Sequence, residues 1–124
     1  CMHKNSASKH HDMILLQQKK NFYVPHKHLR KGETYHILKG KMACVIFYDN
    51  GKIKSKDVIS KNNIFRTPIN VYHTMVPLTK YVIYHESKVG PFLKKNDSVF
   101  PSWSKKFKKD KKEIVKFKQA LNLF

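Results

Sequence analysis

"ETYHILKGKMACVIFYDNGKIKSKDVIS", residues 33–60, contains three short strand-like runs separated by turn residues. ETYHIL (33–38) stops at Lys39-Gly40, and the next run, KMACVIFY (41–48), is apolar on both faces. Asn50-Gly51 then leads into IKSKDVIS (53–60). Asn-Gly between two such runs is the strongest short signal for a β-hairpin, because both residues tolerate positive φ. The segment therefore predicts three consecutive strands, of which the middle one is buried on both faces.

Similar short runs continue on both sides of this segment, with turn residues between them. Strands at a spacing of about 8–12 residues are typical of an all-β sandwich or barrel. We therefore expect two packed antiparallel sheets. The further predicted strands are 13–18, 22–28, 64–67, 73–77 and 81–86.

Helical periodicity appears only at the end of the chain, where apolar residues recur at 3–4–3 spacing: Ile114, Phe117, Leu121 and Phe124. Asp110, with Glu113 three residues later, resembles a capping box that has Asp as the cap. We expect a β-barrel domain over residues 1–104 and a lysine-rich, helical C-terminal extension over residues 105–124, joined by the packing of Trp103. The helix packs on the domain or on a second subunit; a basic amphipathic helix at a membrane surface is the alternative.

The bulk composition fits one domain with one core, at 124 residues. The formal net charge is +18, from 26 Lys and Arg against 8 Asp and Glu. Arg30 and Arg66 are the two arginines and the other cations are lysines. Base readout and bidentate phosphate binding favour arginine, so we expect no specific nucleic-acid partner, only salt-sensitive attraction to polyanions.

The apolar runs and the cysteines of the sequence indicate the location and the redox state. It has no apolar run near the roughly 20 residues that a membrane span requires, and no secretory signal pattern. Cys1 and Cys44 lack CxxC spacing, and Cys44 lies in an apolar run typical of a small buried residue. We expect a cytoplasmic, reduced protein. Because the sequence begins with Cys, we also expect that residues upstream of it are missing.

Three histidines and one glutamate have the spacing of a metal site. His26 and His28 share a face if their segment is extended, and Glu33 follows across a turn that contains Gly32. His73 follows a proline-containing turn and supplies a fourth donor. This mixed set of nitrogen and oxygen donors suits Fe, Mn, Ni or Zn and disfavours Ca²⁺. Four protein ligands on an octahedral ion leave two open positions. HxH alone would also arise from two exposed histidines on a strand.

Two longer motifs strengthen the metal hypothesis. HKH, four residues, Glu33, six residues and Gly40 together resemble the first cupin motif, HxH(x)3–4E(x)6G. PINVYH (68–73) is similar to the second motif, PxGxxH. The glycine that usually opens the first motif is absent near Lys20. Asn70 replaces the glycine of the second motif, and asparagine tolerates the left-handed conformation. Neither departure affects a ligand position.

The resemblance can be made more specific than the two cupin motifs. Residues 1–104 resemble the small cupin fold metalloproteins of the WbuC family. The matching segments are YVPHKH, ETYHILKGKMACVIFYDNGKI, RTPINVYHTMVP, YHESKVGPF and FPSWS. The resemblance implies a double-stranded β-helix (jelly roll) and one divalent transition metal held by His26, His28, Glu33 and His73. It also implies an association with O-antigen, lipopolysaccharide or capsule biosynthesis. It does not determine the reaction.

Three functions remain open. The first is an enzyme that isomerises or epimerises a sugar or sugar nucleotide. The second is an Fe(II)-dependent dioxygenase, and the third is a non-enzymatic sugar-binding or regulatory cupin. A small anionic sugar is the expected ligand, and a homodimer is a further possible state.

Other residues have predicted roles near the site. Tyr35 shares strand parity with Glu33, so it faces the interior, either as a proton donor or as lining. Arg66 either binds the diphosphate of a sugar nucleotide or forms an ion pair with a carboxylate such as Glu86. Of His85 and Glu86, only one can face inward.

Overall fold

The computed structural model describes residues 1–93 and 97–123, in which seven strands precede two helices. The strands are β1 (His10–Gln18), β2 (Glu33–Lys39), β3 (Met42–Phe47), β4 (Ile53–Ile59), β5 (Ile64–Thr67), β6 (His73–Pro77) and β7 (Tyr81–Val89). A 3₁₀ turn (Ser102–Ser104) leads into α1 (Lys106–Lys109) and α2 (Lys111–Leu121). A four-stranded sheet has the order β1-β7-β2-β5 and a three-stranded sheet has the order β4-β3-β6, with all pairs antiparallel. The predicted pair of antiparallel sheets is confirmed.

Residues 33–60 form the three strands that their pattern predicts. Tyr48 N–H donates to Lys52 O across the hairpin at 2.8 Å, and Gly51 has φ +91°. Only glycine adopts that conformation without cost, and a Cβ at this position would also lie 2.8 Å from the Trp103 ring.

The predicted strand over residues 22–28 is wrong. The segment makes only isolated bridges, from His26 to His73 and from Lys27 to Val99. Pro25 has no N–H to donate to a ladder, which interrupts regular pairing just before the two histidines.

Strand β3 is buried on both faces, as predicted. Met42 and Cys44 point into the core between the two sheets. Ala43, Val45 and Phe47 point to the opposite side, where α2 covers them. Cys44 is a free, fully buried thiol.

The C-terminal helix packs on the three-stranded sheet. Phe117 and Leu121 contact the outer face of β3, and Lys56 Nζ donates to Leu121 O at 2.6 Å. A lysine at that end of the helix also interacts favourably with its dipole. Trp103 joins the two parts as expected, because its ring lies 5.1 Å from that of Phe47 and its Nε1–H donates to Asp49 O at 2.9 Å. The domain boundary after residue 104 stays a prediction, and Phe124 lies outside the described residues.

Within the described ranges, no helix has both the length and the apolar character needed to cross a membrane.

Asp110 caps α2, which gives a first testable prediction. Its side chain accepts from Lys112 N at 2.9 Å. The reciprocal half of the predicted capping box is not formed, because Asp110 N donates to Lys106 O and Glu113 pairs with Lys116 at 3.7 Å. Asp110→Ala should lower the free energy of unfolding by about 1 kcal/mol. Urea denaturation measures the loss, with Asp57→Ala, at an exposed position of β4, as the control. Equal losses in the two variants would contradict the capping role.

Candidate metal centre

The four predicted ligands come together at one end of the space between the sheets. Glu33 opens β2 and His73 opens β6. The bridge between His26 and His73, with N···O distances of 3.2 and 2.9 Å, places the segment carrying His26 and His28 beside β6. Each residue offers one donor atom, and these four atoms all lie within 4.8 Å of one another. Such a group could hold a metal ion.

Backbone carbonyls fix the tautomer of all three histidines. Nδ1 of His26 lies 2.8 Å from Val24 O, and Nδ1 of His73 lies 3.0 Å from Val71 O. Nδ1 of His28 is bonded to Asp97 O. A carbonyl only accepts, so in each bond Nδ1 carries the proton and donates it. In the neutral imidazoles, Nε2 therefore carries the lone pair that a metal needs.

The cluster needs a positive charge at its centre. Nε2 of His28 and Nε2 of His73 are buried and make no hydrogen bond. They lie 2.6 and 3.5 Å from Glu33 Oε1, so lone pairs would face a carboxylate unless a proton or a metal ion lies between them. Buried polar atoms are rarely left unsatisfied, and the orphaned Nε2 atoms therefore fit a metal ion held by these residues.

A lysine and a second carboxyl group lie behind Glu33. Lys88 Nζ is 3.6 Å from Glu33 Oε2 and 3.8 Å from Glu86 Oε1. Burial and the neighbouring Glu33 raise the pKa of Glu86 to about 9. His85 points outward and bonds Asp12 at 2.8 Å, which confirms that only Glu86 of this pair faces inward.

Sequence reasoning missed Lys88 and Asp97. Strand parity along β7 could have found Lys88, which is on the same face as Glu86. Asp97 had no such signal, because it lies outside any strand and reaches His28 across 69 residues.

The pKa values of His26, His28 and Glu33 are shifted by burial and by neighbouring charge. Burial and the nearby His73 lower the pKa of His26 to about 4. Burial opposes protonation of His28 as well, but contact with Glu33 outweighs it and raises the pKa of His28. The pKa of Glu33 is lowered, because the histidines outweigh its burial.

These directions predict how metal affinity depends on pH. A metal must displace the proton of His28, whose pKa is above its usual value near 6.5, whereas His26 is neutral down to about pH 4. We therefore expect affinity to fall as pH is lowered, and the fall to begin above pH 6.5. Competition dialysis of Zn²⁺ between about pH 8 and 5 measures it. A constant affinity over that range would contradict a histidine-bound metal.

Two adjoining cavities give access to the cluster. The first, of about 210 Å³, is lined by the four donors and by Tyr35, Tyr84, Glu86 and Lys88 among others. The second, of about 460 Å³, contains Arg30 and Lys31 and shares His28, Asp97 and Ser98 with the first. Tyr35 faces the interior as expected, and burial and Glu33 raise the pKa of its hydroxyl. Its role as a proton donor stays a prediction.

Arg66 lies away from both cavities. It is exposed on the outer face of the four-stranded sheet, where its Nη1 donates to Thr34 Oγ1 at 3.2 Å. Glu86 faces the interior, on the other side of that sheet. The assignment of Arg66 to an anionic ligand stays a prediction that this placement does not favour.

One family model matches part of the chain. Residues 1–59 match DUF6016, a domain of unknown function, and this segment includes His26, His28 and Glu33 but not His73. No curated protein matches the sequence.

Solved structures match over most of the chain. The capsular polysaccharide assembling protein CapF from Staphylococcus aureus is 16% identical at TM-score 0.66, covering 77% of this chain and 29% of CapF. Lactobacillus farciminis oxalate decarboxylase is 14% identical at TM-score 0.60, and the match covers 74% of this chain and 26% of the decarboxylase. A cupin-2 domain protein from Shewanella frigidimarina is 10% identical at TM-score 0.56, and the match covers 66% of this chain and 72% of that protein. The chain thus spans less than a third of CapF and of the decarboxylase. At such identities the likeness shows the fold alone: the chain has the cupin fold.

Proposed function

We propose that the protein is a metal-binding cupin in which His26, His28, Glu33 and His73 hold one divalent transition metal. The observation that carries the proposal is the arrangement of the imidazoles. Three carbonyls hold the Nδ1 protons, and the Nε2 atoms converge with Glu33 within 4.8 Å. A bound ion would supply Lewis acidity toward a ligand oxygen.

The finer proposal is that the ligand is a sugar or sugar nucleotide used in bacterial surface-polysaccharide biosynthesis, with isomerase or epimerase chemistry. The resemblance to the WbuC family supports it, as does the fold shared with a capsular polysaccharide assembling protein. Exposed aromatic rings also lie near His26. Phe100 is 5.8 Å from its ring, and Tyr23 lines the smaller cavity. Aromatic faces suit the C–H faces of a sugar ring.

The larger cavity supports an anionic ligand. Arg30 has no ion pair or hydrogen bond with other residues in the described part of the chain, whereas Lys31 is paired with Asp97. An unpaired guanidinium can bind a phosphate or carboxylate through two parallel hydrogen bonds. Because His28 lines both cavities, a ligand with its acidic group at Arg30 would have its remaining oxygens near the cluster.

A dioxygenase is the second candidate, favoured by the size of the smaller cavity. Its volume of about 210 Å³ is below the ~300–1,000 Å³ usual for ligand pockets, which suits O₂ and a small acid. Oxygen consumption by the Fe(II)-loaded protein would distinguish it from the sugar enzyme.

Elemental analysis of protein made without an affinity tag tests the metal proposal. We expect about one transition-metal ion per chain, and a chain that stays metal-free after reconstitution would contradict it. Calorimetric titration with UDP-glucuronate tests the ligand proposal. Arg30→Gln should weaken binding at least tenfold, whereas Lys54→Gln on β4 should not. Equal affinities of the two variants would remove the role of Arg30 and leave the metal proposal intact.

A further inference from the structure

The two sheets differ in what covers their outer faces. Helix α2 covers the three-stranded sheet, but no described element covers the four-stranded sheet. Large apolar side chains are exposed on this open face: Ile14 is 51% exposed, Leu16 57% and Ile64 66%.

Strand register arranges the open face in rows. The Asp12 row runs Asp12–Ser87–Thr34–Arg66 across β1, β7, β2 and β5, and the Ile14 row runs Ile14–His85–His36–Ile64. These residues alternate with the inward-facing Tyr35 and Glu86, so both rows point outward.

Charge is sparse and ordered in these rows. The chain carries a net charge of +18, yet the eight side chains of the two rows include one cation, Arg66, and one anion, Asp12. They lie at opposite edges of the same row. Lys39, beyond the Ile14 row, lies over the Tyr81 ring at 5.4 Å. A surface with few lysines is where two copies of such a basic chain repel each other least.

We propose that a second copy of this chain packs on the open face, related by a two-fold axis that runs along the strands between β7 and β2. This axis exchanges the two edges of the sheet and keeps each residue in its row. Asp12 of one copy then faces Arg66 of the other, and Ile14 faces Ile64, each contact occurring twice. Such reciprocity defines an isologous dimer. The strands of the two copies run nearly parallel, as in aligned sheet packing.

A different axis fits less well. A two-fold across the strands would keep each strand over itself, so Asp12 would face β1 and Arg66 would face β5 of the second copy. Neither charge would meet its opposite, and an axis through the Asp12 row would place like charges together.

The size of the face suits a dimer of modest stability. Four strands at ~4.8 Å spacing and roughly seven residues at ~3.4 Å rise give about 450 Å² of projected area. Two such faces would bury on the order of 900 Å² in total, which is in the size range of weak complexes, below ~1,200 Å². The dimer should therefore form at micromolar concentration rather than below it.

Sedimentation velocity from about 1 to 100 µM tests the dimer. The parent protein should associate over this range, and Ile64→Glu should leave it monomeric. Val58→Glu, at an exposed position of β4 in the other sheet, is the matched control and should not change association. A parent protein that is monomeric at 100 µM, or a dimer that survives Ile64→Glu, would overturn the proposal.

A charge swap tests the register. Arg66→Asp should weaken association at least tenfold, because two Asp pairs then face each other, and the double variant Asp12→Arg/Arg66→Asp should recover most of it. Asp12 also contacts His10 and His85 in its own chain, so circular dichroism must show that both variants are folded. If the double variant does not fold, Arg66→Ala carries the test and should weaken association less than Arg66→Asp. A swap that recovers nothing, or equal effects of Ala and Asp, would overturn the register.

Discussion

Replacement of His73 by alanine should weaken metal binding by at least about 100-fold and leave the fold intact. Removal of a group that hydrogen-bonds to a metal ligand typically lowers metal affinity by about 10–100-fold. Removal of the ligand itself should lower the affinity further. The barrel should persist, because apolar contacts between the sheets carry its stability. The substitution removes one local hydrogen bond, from His73 Nδ1 to Val71 O, and leaves the backbone bridge between His26 and His73 in place.

Bound metal per chain after dialysis measures the effect, with circular dichroism as the check on folding. His36→Ala is the matched control, since it removes a histidine from the outward side of β2 and should retain the metal. Unchanged stoichiometry in His73→Ala and in His26→Ala would end the metal proposal.

Leu121→Ala should produce the largest loss of stability, about 3–4 kcal/mol. Leu121 is 0% exposed and packs on the outer face of β3 at the last turn of α2. Truncation of a buried leucine removes its apolar contacts and leaves a cavity.

Urea denaturation measures this loss, and Val115→Ala on the same helix is the control. Val115 is 54% exposed, so its truncation should change the free energy of unfolding by less than about 0.5 kcal/mol. Metal content of the folded Leu121→Ala protein should equal that of the parent. Equal midpoints for the two variants would mean that the helix contributes little to the fold.

Local signals predicted the parts of the structure that local chemistry determines. Asn50-Gly51 forms the hairpin, Asp110 caps α2, and the spacing of His26, His28 and Glu33 places their donor atoms together. Each depends on a few neighbouring residues, whose backbone preferences the sequence displays directly.

Long-range pairing could not be predicted in the same way. The sheet order places β7 between β1 and β2, and this order brings Lys88 to Glu33. Asp97 holds His28 from a segment without periodicity. The strand predicted over residues 22–28 failed for a related reason: its alternating pattern was real, but Pro25 left it with two isolated bridges.

The position of Trp103 also provides an intrinsic fluorescence probe of unfolding. Trp103 is the only tryptophan of the chain. Its indole N–H is bonded to Asp49 O in the hairpin, and its ring contacts Phe47 and Tyr72. Intrinsic fluorescence therefore follows one event, the detachment of the C-terminal segment from the β3–β4 hairpin. A red shift in emission that precedes the loss of β-sheet circular dichroism would show the helix leaving before the barrel opens.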